Sequence, residues 1–262
     1  LSIQVQDLSF SYEHRTILDK VEFQIEPGDV LAVLGPNGVG KTTLFRCILG
    51  LQSHYQGSIR INNREATLFS AKELAREIAY IPQLQKTTFH FSVLDMVLMG
   101  TTAQLSLFQQ PGDMQLVQAH AALTRFGIDH LANRDFEQLS GGESQLTLLA
   151  RAIAQGAKIL ILDEPTASLD YGNAIRVMEE VQQLAKAGFT VIFSTHDPNQ
   201  ALGYANRVLA LYEGRVAAFG LTDQVLQPTL LEQLYQISVR FETLGEEQMR
   251  VCIPMPRKDD SR

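Results

Sequence analysis

The run GPNGVGKTT, from Gly35 to Thr43, constrains the fold more than any other stretch of the chain. It matches G-x-x-x-x-G-K-[ST], a phosphate loop whose mechanics need a buried strand before it and a helix after it. Both are legible. VLAVLG is a short apolar run bounded by glycine, as expected of a strand covered on both faces. Lys41 to Leu49 has helical spacing and stops at Gly50. The expected cradle is Gly35, Pro36, Asn37, Gly38, Val39, Gly40, Lys41, Thr42 and Thr43. Its glycines let backbone N–H groups turn inward, and the helix terminus adds unpaired donors at its positive end. Lys41 is expected to reach the β- and γ-phosphates of a nucleotide, and Thr42 to offer its hydroxyl to Mg²⁺. The alternative is a Gly-rich turn with a surface lysine, which does not require the flanking strand and helix.

Two further strand ends carry matching chemistry. ILILDEP closes an apolar run with Asp163 and Glu164. Asp163 can hold Mg²⁺ directly or through water, and Glu164 can polarise a water toward the γ-phosphorus. VIFSTHD ends the next strand at His196. In an open parallel sheet the C-terminal strand ends share one crevice, so Gly35, Asp163 and His196 are expected to face one ligand. There His196 is read as sensing the γ-phosphate and positioning the water. The alternatives are an ordinary strand-end acid for Glu164 and a structural hydrogen bonder for His196.

The rest of the chain alternates strands and helices. LSIQVQDLSFSY, TILDKVEFQIEPGD and GSIRINN read as strands of an outer sheet. FTVIFSTH, RVLALYEG and RVAAFG continue the core, and GNAIRVMEEVQQLAKAG is a helix ending at Gly188. Together they predict an α/β fold with a mainly parallel sheet. Residues 84–154 read as a mainly helical insertion, and the tail from about Leu226 as one or two elements outside the core. The end, IPMPRKDDSR, is expected to fray.

A formal net charge of −7 argues against nucleic acid as a partner. Cys47 and Cys252 stand far apart, with no metal-ligand spacing to histidine. No secretory signal is visible at the start, and no apolar window is long enough to span a bilayer. Action beside a membrane therefore needs a membrane-embedded partner.

LSGGESQLTLLARAIAQ, from Leu139 to Gln155, adds a second glycine loop before a helix. With the phosphate loop, LSGGE, ILILDEP, SLD and STHD in that order, the chain resembles the ATP-binding subunits of ABC transporters over nearly all of residues 2–225. The resemblance implies a P-loop NTPase core with a small antiparallel β subdomain and a helical insertion subdomain. Its core covers 1–83 and 155–225, its helical subdomain about 84–154, and 226–262 is a C-terminal extension. It implies that Tyr12 stacks on adenine and that Gln83 touches Mg²⁺ and the attacking water. It implies that two copies pair head to tail, with Ser140, Gly141 and Gly142 capping the γ-phosphate held by the other copy. Asp170 then lies in the loop that crosses between them. One departure is Leu146 after Gln145, where the family often has a basic residue.

ELAREIAYIPQ, FHFSVLDMVLMG and STHDPNQALGYANRVLALYEGRVAAFG look like the bacterial importers of metal chelates: iron–siderophore, haem or cobalamin. Thr101 stands where members often have arginine. The resemblance implies integral membrane permease subunits, a periplasmic or surface solute-binding protein acting through them, and a place on the cytoplasmic face of the inner membrane. Phe89, Phe91, Val93 and Met96 are read either as lining the groove for a permease helix or as subdomain core. Another importer, an exporter and a soluble non-transport ATPase are the alternatives in function.

Overall fold

The computed structural model describes residues 2–83, 90–106, 109–245 and 249–256. The central strands are β3 (Val30–Leu34), β6 (Ile78–Ile81), β7 (Ile159–Leu162), β8 (Thr190–Thr195), β9 (Arg207–Tyr212) and β10 (Arg215–Leu221). Their order across the sheet is β10–β9–β3–β8–β7–β6. All run parallel except β10, which turns back against β9. The inner strands are apolar on both faces. Val30, Ala32 and Leu34 of β3 enter one core, and Leu31 and Val33 enter the other. This two-sided burial is why VLAVL and ILIL read as continuous apolar runs rather than alternating ones. IAYI was not expected as a strand. It abuts a helix, α2 (Ala71–Glu77), with no turn residue between.

The second core lies under an antiparallel sheet of β1 (Ile3–Tyr12), β2 (Arg15–Ile25), β4 (Gln56–Ile61) and β5 (Arg64–Glu65), ordered β2–β1–β4–β5. The β1 alternation slips once. Val5 and Leu8 both point inward, and the register shift between them contains Asp7 at φ 48°. That is a bulge, with one extra residue absorbed by a left-handed backbone. The first helix, α1 (Lys41–Ile48), buries Leu44, Phe45, Cys47 and Ile48 in the same core.

Between β6 and β7 lie α3 (Val93–Thr101), α4 (Asp113–Arg125) and α5 (Gly141–Ala154). Ser70, Ser92 and Ser140 open α2, α3 and α5 with capping boxes closed by Glu73, Asp95 and Glu143. Each box satisfies two otherwise unpaired N–H donors. The helices α3 and α5 cross at Gly100, where a Cβ would meet the Arg151 carbonyl at 2.2 Å. Leu146 is 2% exposed and packs in this subdomain, so a charged side chain at that position would need a partner there. Val93 and Met96 are also buried, which makes them core rather than groove lining. Phe91 is partly buried against the same core, and Phe89 lies outside the described residues.

Beyond β7 come α6 (Tyr171–Lys186) and α7 (Pro198–Tyr204), then α8 (Thr222–Val225), α9 (Pro228–Tyr235), β11 (Val239–Leu244) and β12 (Met249–Pro254). Ile253 and Pro254, expected to fray, are paired in β12, while 257–262 lie outside the described residues. A lone two-stranded hairpin is marginal in water, so its docking matters. Asn199 of α7 donates to the Cys252 carbonyl at 3.1 Å and accepts from its N–H at 2.8 Å. Replacing Asn199 with Ala leaves both groups without their partner, at a cost of about 1–3 kcal/mol. The expected result is faster amide exchange in β12 while the β3 and β8 amides keep their protection.

Candidate active site

The strand polarity delivers the site. Gly35 follows β3, Asp163 follows β7, His196 follows β8 and Pro82-Gln83 follow β6, all along one edge of the sheet. Leu34 lies opposite Thr195 and Ile81 opposite Leu162, while Leu162 lies opposite Phe193, so the ends of β6 and β7 stand two residues behind those of β3 and β8. Gln83, Asp163 and Glu164 line a cleft of about 430 Å³ together with the phosphate loop from Asn37 to Thr43. His196, expected on the same cleft, lines a neighbouring recess instead, which it shares with Glu164.

Gly40 sits at φ 113°, and a Cβ there would come within 2.9 Å of Leu18. The left-handed backbone and the close approach both require glycine. Helix α1 then starts with no side-chain cap and no acid in its first turn. Its N-terminal N–H groups and positive dipole end remain available to an anion. Lys41 is only 6% exposed. Its Nζ donates to the carbonyls of Gly35 at 2.8 Å and Pro36 at 3.2 Å, and stands 3.6 Å from Glu164 Oε1. Burial pulls its pKa down, and the Glu164 and Asp163 carboxylates oppose that. The loop thus holds a preplaced, poorly solvated cation, which a polyphosphate would stabilise. Val39 packs down into the second core, and Asn37, Gly38, Thr42 and Thr43 face the cleft.

Asp163, 5% exposed, is a hub for hydroxyl groups. It accepts from Thr42 Oγ1 at 2.7 Å, Ser194 Oγ at 2.6 Å and Tyr80 OH at 3.4 Å. Desolvation, and then the Asp163 charge, push the Tyr80 phenol up to about 12, so it stays a donor. Thr42, Asp163 and Gln83 offer hydroxyl, carboxylate and amide oxygens to one cleft, a donor set that fits a hard divalent cation such as Mg²⁺.

Glu164 has φ 47°, a left-handed backbone at a residue with a Cβ. Such a conformation costs on the order of 1–3 kcal/mol and persists only where its surroundings fix it. Ser194 is one fixture. Its hydroxyl accepts from the Glu164 N–H at 2.8 Å while donating to Asp163. The Glu164 carboxylate ends 3.7 Å from His196 Nδ1, between the main cleft and a recess of about 190 Å³.

The glycine loop at Ser140 is elsewhere. Its residues do not line the cleft around Lys41. They pack beside the 168–173 segment instead, where a Cβ on Gly141 would be 3.0 Å from Leu169 and one on Gly142 2.4 Å from Asn173. Ser140 Oγ donates to Glu143 at 2.7 Å, and these bonds hold the Glu143 carboxyl below its usual range. Asp170 caps α6, accepting from the N–H and side-chain amide of Asn173 at 2.9 and 2.8 Å.

The family model for ABC transporters matches residues 18–167, from β2 through the phosphate loop and Asp163. The chain belongs to the ABC transporter family. It is an ATP-binding, ATP-hydrolysing member with the ABC ATPase fold. The molybdate import ATP-binding protein MolC of Haemophilus influenzae is 37% identical over 90% of this chain and 88% of its own. The hemin import ATP-binding protein HmuV of Agrobacterium fabrum is 34% identical over 97% and 99%. A solved metal-chelate type ABC transporter, in an inward-facing conformation, superposes with a TM-score of 0.87. It shares 34% identity over 98% of both chains.

In this ABC ATPase, Tyr12 is 40% exposed, edge-on to Phe10 with ring centroids 4.8 Å apart. It is not among the cleft-lining residues, whereas its cross-strand partner Arg15 is. Arg15 was not anticipated, because only the β1–β2 register brings it there. Ser194 was also missed. Its signal is a polar residue in the otherwise apolar run VIF-S-T.

No helix among the described residues is long and apolar enough to cross a membrane.

Proposed function

We propose that this ABC ATPase powers import of a metal chelate through a membrane permease, docked on the cytoplasmic face of the inner membrane. The likeness to the metal-chelate type transporter carries this reading, because at 98% coverage it includes the C-terminal extension. The molybdate importer relative favours a second reading, import of an oxyanion. The test is co-purification with a permease in mild detergent, followed by ATPase assays with loaded binding proteins. Stimulation by binding proteins loaded with iron chelate, haem or cobalamin supports the first reading, and stimulation only by a molybdate-loaded one favours the second. A chain that captures no permease contradicts both.

In the proposed mechanism the loop from Gly35 to Thr43 cradles the phosphates, and Lys41 Nζ turns from the Gly35 and Pro36 carbonyls to the β- and γ-phosphates. Tyr12 stacks on adenine, with Arg15 beside it. Thr42, Gln83 and Asp163 would hold Mg²⁺, which when bound neutralises phosphate charge. Glu164 accepts the proton of a water that attacks the γ-phosphorus, releasing ADP and phosphate. His196 and Gln83 orient that water. Ser140, Gly141 and Gly142 of a second copy cap the γ-phosphate, since they stand apart from this chain's own cleft. Asp170 then lies between the copies. The core 1–83 and 155–225, the helical part 84–154 and the extension 226–262 are the moving units in this scheme.

Glu143 works against the pairing. An incoming phosphate needs the Ser140 hydroxyl that Glu143 engages, and meets its negative charge. Glu143→Gln keeps the capping box and removes the charge. The helix loses about 0.3–1 kcal/mol. ATP-driven dimerisation is expected at roughly two- to fivefold lower ATP, read by light scattering, for a repulsion of similar size.

A further inference from the structure

Gln200, in α7, contacts neither the main cleft nor the phosphate loop. Its side-chain carbonyl accepts from Thr195 Oγ1 at 2.9 Å, and its amide nitrogen donates to Thr166 Oγ1 at 2.7 Å. Thr195 Oγ1 accepts in turn from the Asp197 N–H at 3.0 Å. One amide therefore joins the strand end that carries His196 to the turn that follows Glu164. Within the turn, the Ala167 N–H donates to the Glu164 carbonyl at 3.2 Å and the Leu169 N–H to the Thr166 carbonyl at 3.1 Å.

The base of this staple is fixed on the other side. Asp197 caps α7, Ala201 is buried in the core, and Asn199 is bonded in both directions to the Cys252 backbone. A side chain on an anchored helix can thus tie this turn to the end of β8. The groups so held, Glu164 and His196, stand 3.7 Å apart across the recess that Gln200 also lines.

We infer that Gln200 is a positioning residue for hydrolysis, fixing the separation of Glu164 and His196 through Thr166 and Thr195. The inference rests on the roles proposed above for Glu164 and His196. Gln200 lies outside the lining of the cleft around Lys41. Its loss changes placement rather than binding, and a displacement of about 1 Å can cost up to about a hundredfold in rate.

The test measures kcat and KM for ATP with the full-length chain. Gln200→Leu and Thr166→Val are each expected to lower kcat about tenfold with KM within about twofold, and Thr166→Ser to stay within about twofold of the parent. In a His196→Ala background, Gln200→Leu should lower kcat by less than about twofold, because coupled residues do not add. Parental kcat in Gln200→Leu or Thr166→Val overturns the inference, as does full multiplication of losses in the His196→Ala background. If Gln200→Leu does not fold, the two Thr166 variants decide it. Parental turnover in Glu164→Gln and His196→Ala would instead sink the roles proposed for those residues. Slow turnover in both, with Gln200→Leu unaffected, sinks the staple alone.

Discussion

Glu164→Gln is expected to slow ATP turnover by on the order of 10²–10⁴-fold, the usual contribution of a positioned general base. The change is nearly isosteric. It keeps the left-handed backbone at φ 47° and the Glu164 N–H bond to Ser194. It removes the proton acceptor and one of the carboxylates opposing the desolvation of Lys41. Bound phosphates replace that charge, so ATP affinity is expected within a few-fold of the parent. Phosphate release and nucleotide titration on one preparation check both halves. An ATP-bound pair that survives gel filtration is the third expected sign. Turnover near the parental rate contradicts the role given to Glu164.

Lys41→Ala is expected to remove nucleotide binding at working concentrations. The side chain is buried, carries the loop's only positive charge and is already held toward the cleft by two carbonyls. A charge-assisted hydrogen bond contributes about 1.5–3 kcal/mol, or roughly 10- to 150-fold in affinity, for each one lost. Two phosphates are proposed to share this lysine, so the upper end is expected, with turnover below detection. Calorimetric titration with ATP measures the affinity, and a circular dichroism melt shows whether the fold survives. Binding within about threefold of the parent would mean that the loop amides alone hold the phosphates.

The site was legible in the sequence to the extent that each group closes its own apolar strand. Gly35, Asp163 and His196 each follow such a run, and parallel pairing brings all three to the same edge of the sheet, with Asp163 two residues behind the other two. What local pattern does not carry is long-range register and tertiary bonding. Arg15 reaches the cleft through the hairpin with Tyr12, and Ser194 is significant only because β8 lies beside β7. The tie from Asn199 to Cys252 spans 53 residues. Strand β6 was hidden because IAYI follows α2 without a breaker, and the bulge at Asp7 because only the pairing with β2 reveals the register shift there. Leu146 departs from the family pattern for a local reason: its side chain is core. The two glycine loops share a local pattern, glycines running into a helix. In the fold they lie at different places, and the proposed pairing would make each one half of a phosphate site.

A site shared between two copies can be reassembled from two damaged chains. Ser140→Asp keeps a good helix N-cap and puts a negative charge where the second copy's phosphate would sit. Lys41→Ala disables the other half. Each variant alone is expected to be nearly inactive. Mixed one to one, they can form a pair with one intact site, combining Lys41 from one chain with Ser140 from the other. ATP turnover is expected to appear on mixing and to rise with the square of protein concentration in the dilute range. Ser140→Asp turning over alone at the parental rate, with no gain on mixing, would contradict a shared site.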